Sequence, residues 1–110
     1  MAFEMDFLFD EKENLLNVKL SGELDIYSVN DFKNRVLELY TQRKSDIQFD
    51  CTKLEYIDST GLGAMVSILK VLKDDNKSIY LYNLKTSLMK LFKITKLDEI
   101  FKFRGENDVQ

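Results

Sequence analysis

At the start of the chain Phe3, Met5, Phe7 and Phe9 alternate with Glu4, Asp6, Leu8 and Asp10. A period of two predicts a β-strand with one apolar face. The polar run Asp10-Glu11-Lys12-Glu13-Asn14 signals a turn. Leu16, Val18 and Leu20 then alternate with Asn17, Lys19 and Ser21, which predicts a second strand paired with the first as a hairpin and ended by Gly22. Ser28, with Asp31 three residues on, has the form of a helix N-cap in a variant capping box. Val29, Phe32, Val36 and Leu39 or Tyr40 follow at spacings of three and four, so a helix is expected from about Val29 to Gln42. A third strand is read from Asp46 to Asp50, where Ile47 and Phe49 alternate with polar neighbours as in a sheet covered on one face only.

Leu62, Met65, Val66, Leu69 and Leu72 form a wide apolar stripe. They predict a second helix from Ser59 or Thr60 to Lys73. Asp74-Asp75-Asn76-Lys77 reads as a loop and Ser78 to Tyr82 as a fourth strand. Thr86 or Ser87 can cap a third helix holding Leu88, Met89, Leu91 and Phe92. Leu97, Ile100 and Phe101 suggest one more helical turn; Phe101-Lys102-Phe103 can instead end as a short strand, and the period does not choose. The polar residues from Arg104 to Gln110 read as a frayed tail. The order β-β-α-β-α-β-α implies parallel crossovers of right-handed sense. The fold class expected is a two-layer α/β domain: a mixed sheet of four to five strands with helices mainly on one face.

The chain has 110 residues, 45% of them apolar, which suits one domain from 1 to 110 with one core. No apolar run reaches the length needed to span a membrane, and the N-terminus is acidic rather than signal-like, so a soluble cytosolic protein is the default expectation. Histidine is absent, which excludes Ser-His-Asp and Cys-His chemistry and metal sites that need His. Cys51 is the only cysteine. It reads as a small core filler, and no internal disulfide or Cys-rich metal site can form. The net charge of −3, with both signs spread along the chain, argues against nucleic acid as a direct partner. Lys85, Lys90, Lys93 and Lys96 interleave with apolar residues at helical spacing, as on a solvated helix face.

The segment Asp58-Ser59-Thr60-Gly61-Leu62-Gly63 places two hydroxyls and an acid at the expected start of the second helix. A helix N-terminus has unpaired N–H groups and a partial positive charge, so it tolerates a phosphate. The two glycines allow close approach of backbone and of a partner's surface. The same residues also fit an ordinary N-cap before an apolar run.

Three segments together resemble the STAS domain, specifically the small bacterial anti-sigma factor antagonists of the SpoIIAA type. They are Leu20-Ser21-Gly22-Glu23-Leu24-Asp25, Ile57-Asp58-Ser59-Thr60-Gly61-Leu62-Gly63, and the run from Leu88 to Phe103. The resemblance implies that Ser59 is phosphorylated by the binding partner, an anti-sigma factor with GHKL-type serine kinase activity. It implies that the unphosphorylated chain captures that partner and frees a sigma factor, and that a PP2C-like phosphatase restores the serine. No cofactor and no enzymatic activity of the chain's own are expected, and a partner surface is expected from Asp25, Ser28, Asp58, Thr60, Gly61, Leu62 and Gly63. Thr60 stands where serine is commoner in the family, and Lys96 where glycine often eases a left-handed helix end.

A phosphate adds roughly −1.5 to −2 charge. At a helix start it is accommodated within the domain, so the switch is expected to act on the partner through repulsion and desolvation in the shared interface. The alternative is a STAS scaffold or accessory subunit, of a stressosome-like or lipid-transport complex, with no regulated serine. A small enzyme using Ser59 as nucleophile ranks far below, because no motif presents a base. No phosphate-loop motif for a nucleotide is present.

Overall fold

The computed structural model describes residues 2–105. The alternating segments form β1 (Glu4–Asp10), β2 (Leu15–Leu24), β3 (Asp46–Ile57), β4 (Ile79–Tyr82) and β5 (Lys102–Arg104). The segments with helical period form α1 (Val29–Gln42), α2 (Ser59–Asp74) and α3 (Thr86–Ile94), and a 3-10 turn spans Leu97–Glu99. The five strands lie in the order β1-β2-β3-β4-β5. β1 and β2 pair antiparallel as the expected hairpin, and the other three pairings are parallel. The result is the mixed sheet with three helices that the pattern implied.

One face of the sheet holds the core. Val18, Leu20 and Leu24 of β2, Ile47, Phe49, Cys51 and Leu54 of β3, and Ile79 and Leu81 of β4 are all buried. Phe32, Val36 and Tyr40 of α1, Met65, Ile68, Leu69 and Leu72 of α2, and Phe92 of α3 close over them in a single cluster. The other face is polar. Asn17, Gln48, Tyr80 and Lys102 lie in one row across four strands. The Gln48 amide donates to Asn17 Oδ1 at 2.9 Å and the Arg104 guanidinium donates to Gln48 Oε1 at 3.3 Å. Arg104 also stacks 3.6 Å from the centre of the Tyr80 ring. A polar ladder of this kind keeps an uncovered sheet face wettable.

Several boundaries differ from those read off the sequence. β2 does not end at Gly22 but runs through it to Leu24. Gly22 has φ +88°, and a Cβ there would lie 2.0 Å from the Ala2 carbonyl oxygen, so the glycine serves a close strand approach and not a strand end. β3 continues past Asp50 to Ile57, with shifts in its register against β2. The apolar spacing changes there from two to three, from Cys51 to Leu54 to Ile57, and hides the strand period. Ser28 holds the N-cap position of α1 but makes no capping bond, and Asp31 pairs with Arg35 instead of closing a box. Lys85, not Thr86 or Ser87, takes the N-cap position of α3, also without a side-chain cap. Both readings of the last segment are realised, a 3-10 turn and then a strand. Arg104, read as frayed, is paired in β5 opposite Tyr82. Gly105 follows with φ +93°, and residues 106–110 of the expected tail lie outside the described residues.

Candidate functional site

β2 and β3 end side by side, with Leu24 opposite Ile57. The chain leaves β3 and enters α2 through one residue, Asp58. Its N–H donates to the Leu24 carbonyl at 3.2 Å, which fixes the start of α2 against the end of β2. Its carboxylate is the N-cap: Oδ1 accepts the Gly61 N–H at 3.0 Å and the Thr60 hydroxyl at 2.6 Å. The Thr60 hydroxyl, followed by the N–H of Gly61, holds the Asp58 carboxyl below the usual carboxylate range, and the N–H groups of Thr60 and Ile26 add to this. Asp58 thus joins α2 to the turn after β2.

That turn is built by Asp25 and Ser28. Asp25 Oδ1 accepts the N–H of Tyr27 at 2.9 Å and of Ser28 at 3.3 Å. Ser28 Oγ accepts the Asp25 N–H at 3.0 Å and donates to the Glu23 carbonyl at 2.9 Å. Both polar side chains are spent inside the turn. What the turn presents outward is Ile26 and Tyr27, the latter 94% exposed. Tyr56, exposed two residues before Asp58, flanks Glu23 in the register.

Ser59 is the first residue of α2 and is exposed. Its hydroxyl has no hydrogen-bond partner among the described residues, whereas that of Thr60 is engaged by Asp58. The two glycines differ. A Cβ on Gly61 would meet Ile57 Cγ1 at 2.7 Å and the Leu24 carbonyl at 2.8 Å, so Gly61 lets α2 sit against β2. A Cβ on Gly63 would meet nothing within 4 Å. Leu62, expected at the partner surface, is buried; it lies on the face of α2 that carries Met65, Leu69 and Leu72 onto the sheet. The structure therefore sets Asp58, Ser59 and Thr60 at the end of β3 next to the end of β2, leaves Gly63 open on the outer side of α2, and turns Gly61 and Leu62 inward.

Sequence reading passed over Ile26, Tyr27 and Tyr56. Two large apolar residues between an acid and an N-cap position, outside any period, were the available signal. Elsewhere the chemistry is quiet. Burial, and then the Asp50 charge, push the Cys51 thiol well up, so it stays protonated. No group of three or more acidic or cysteine side chains among the described residues is placed to hold a metal ion. Among the described residues no helix is long and apolar enough to cross a membrane.

The profile of the STAS domain family matches residues 7–109. The chain is 32% identical over 98 residues to the anti-sigma-B factor antagonist of Bacillus subtilis, covering 89% of each chain. Among solved structures it is similar to a Thermotoga maritima protein, with a TM-score of 0.83 at 23% identity over 91% of this chain and 85% of that one. It is also similar to the Bacillus cell fate determinant SpoIIAA in its phosphorylated form, with a TM-score of 0.70 at 19% identity over 98% and 96% of the two chains. At these identities the structures speak for the fold alone.

Proposed function

This chain belongs to the STAS domain family, and on that membership we propose that it is a cytoplasmic anti-sigma factor antagonist switched by phosphorylation of Ser59. The name of its Bacillus subtilis relative supports the role. The observation that carries the switch is the contrast at the start of α2: an exposed, unpartnered Ser59 hydroxyl beside a Thr60 hydroxyl already bound to Asp58. A kinase must reach a hydroxyl and align it, and a free one needs no bond broken first. The partner is an anti-sigma factor with GHKL-type serine kinase activity, and a PP2C-like phosphatase reverses the mark. Ile26, Tyr27 and Tyr56 supply the apolar contact beside Ser59 that a stable interface needs.

The unphosphorylated surface offers a neutral hydroxyl at its centre. A phosphate there brings charge into an interface already facing Asp58, and burying it unpaired opposes binding. The test is to mix the purified chain with such a kinase and ATP, map the modified residue, and titrate binding by calorimetry. Ser59→Ala is expected to abolish labelling and to retain capture of the kinase. Label that persists on Thr60 in this variant overturns the assignment. Failure of both labelling and capture favours a scaffold subunit with no regulated serine.

A further inference from the structure

Apart from the site at Ser59, the exposed large apolar side chains fall mainly at two poles. Phe7 (53% exposed) and Leu8 (71%) lie on β1; Ile94 (80%) and Ile100 lie at the end of α3 and just after the 3-10 turn. These poles are opposite. β1 is one edge of the sheet and β5 the other. α3 is fastened to the β5 edge by Phe92, whose ring meets those of Phe101 at 5.6 Å and Phe103 at 6.0 Å.

The charges divide the same way. Residues 4–13 carry five acids and one lysine, a net −4. Residues 85–104 carry five lysines and one arginine against two acids, a net +4, in a chain whose total is only −3. Glu4 and Asp6 on one pole, and Lys90, Lys93 and Lys96 on the other, enter no ion pair among the described residues. β1 pairs with β2 alone, so its outer row of backbone groups lacks a strand partner among the described residues. A second β1 laid antiparallel on that row would set Glu4, Asp6 and Asp10 among acids of the same kind, which opposes symmetric edge-to-edge pairing. The surface that matches β1 in charge and also offers apolar side chains is the α3 pole of another copy.

We propose that this chain self-associates head to tail, the α3 surface around Lys90, Lys93 and Ile94 of one copy docking on the β1 edge around Asp6, Phe7 and Leu8 of the next. Such a contact uses two different patches, so a dimer leaves one of each free and association extends past it with concentration. It rests largely on exposed charges, so it is weak and screened by salt. It leaves the Ser59 surface free and stands or falls independently of the reading of that site.

The experiment is sedimentation velocity on the full chain over a range of concentrations. It compares about 10 mM salt, where charges act over about 30 Å, with about 1 M salt, where they act over about 3 Å. The average mass is expected to rise past twice that of the monomer without a plateau at low salt, and to return to monomer at high salt. Two double variants, Asp6→Lys with Asp10→Lys and Lys90→Glu with Lys93→Glu, carry the sharper test. Circular dichroism checks that each is folded. Each alone retains one native patch and is expected to be monomeric. Mixed in equal amounts they present one native pair of patches and one charge-reversed pair, and are expected to associate again at low salt. A wild-type chain that stays monomeric at low salt, a wild type that plateaus at a dimer, or folded variants that show no complementation overturns the proposal.

Discussion

Asp58 stands where β3 ends and α2 begins, and it makes bonds in both directions. The carboxylate caps α2 through Gly61 and Thr60, and the Asp58 N–H holds the helix start against the Leu24 carbonyl at the end of β2. Replacing an N-cap of this kind by alanine lowers stability by about 0.5–2 kcal/mol, so Asp58→Ala is expected to fall in that range in urea unfolding. The effect has a pH sign. The folded-state value is depressed, so the stabilisation is fully present above the unfolded carboxyl value of about 3.9 and is lost as pH falls through the folded one. The gap between wild type and Asp58→Ala is expected to narrow in acid; a gap of constant size would show that the charge plays no part. The sequence showed that an acid and two hydroxyls meet at a helix start. It did not separate Ser59 from Thr60, because adjacent hydroxyls share every local preference. The distinction comes from which one the Asp58 carboxylate reaches.

At the scale of elements, α2 presents Leu62, Met65, Leu69 and Leu72 to the sheet, as their spacing predicted. Leu69→Ala is expected to lower stability by about 2–5 kcal/mol, measured by denaturant unfolding; a loss below about 1 kcal/mol would place this face outside the core. α1 was legible to the residue, Val29 to Gln42, because its apolar positions keep one period from end to end. Its N-terminal chemistry was not legible. Ser28 reads as a cap, yet its hydroxyl is drawn into the turn by the Asp25 N–H and the Glu23 carbonyl, partners that no local pattern reveals. β3 was read at less than half its length for a related reason. From Cys51 onward its burial follows a shifted pairing with β2, and that shift is a property of two strands, not one. Lys96, noted as standing where glycine often eases a left-handed turn, does take φ 62° just before the 3-10 turn. The corner keeps its geometry at a strain of about 1–2 kcal/mol for a residue with a side chain.

On the scale of the whole molecule, the site sits at one end of the sheet and the core behind it is closed. Tyr40, buried in α1, donates its hydroxyl to Asp75 at the end of α2 at 2.7 Å. The two helices are thus tied at the end of α2 away from Ser59. Phosphorylation is therefore expected to leave the melting temperature of the domain nearly unchanged while binding is lost, a pairing checked by calorimetry on both forms. Loss of binding through melting would make the switch conformational. Gly61 and Gly63, two residues apart, differ in a way that bears on how variants of this chain would fare in a cell. A helix-interior glycine is about 1 kcal/mol less favourable than alanine, and Gly61 has a steric reason to be there that Gly63 lacks. In a scan that counts folded protein, Gly63→Ala is expected to rise and Gly61→Ala to fall. In a scan that counts sigma-factor release, both are expected to fall if a partner's backbone passes over Gly63. A position that gains abundance and loses output is one whose selection comes from outside the chain.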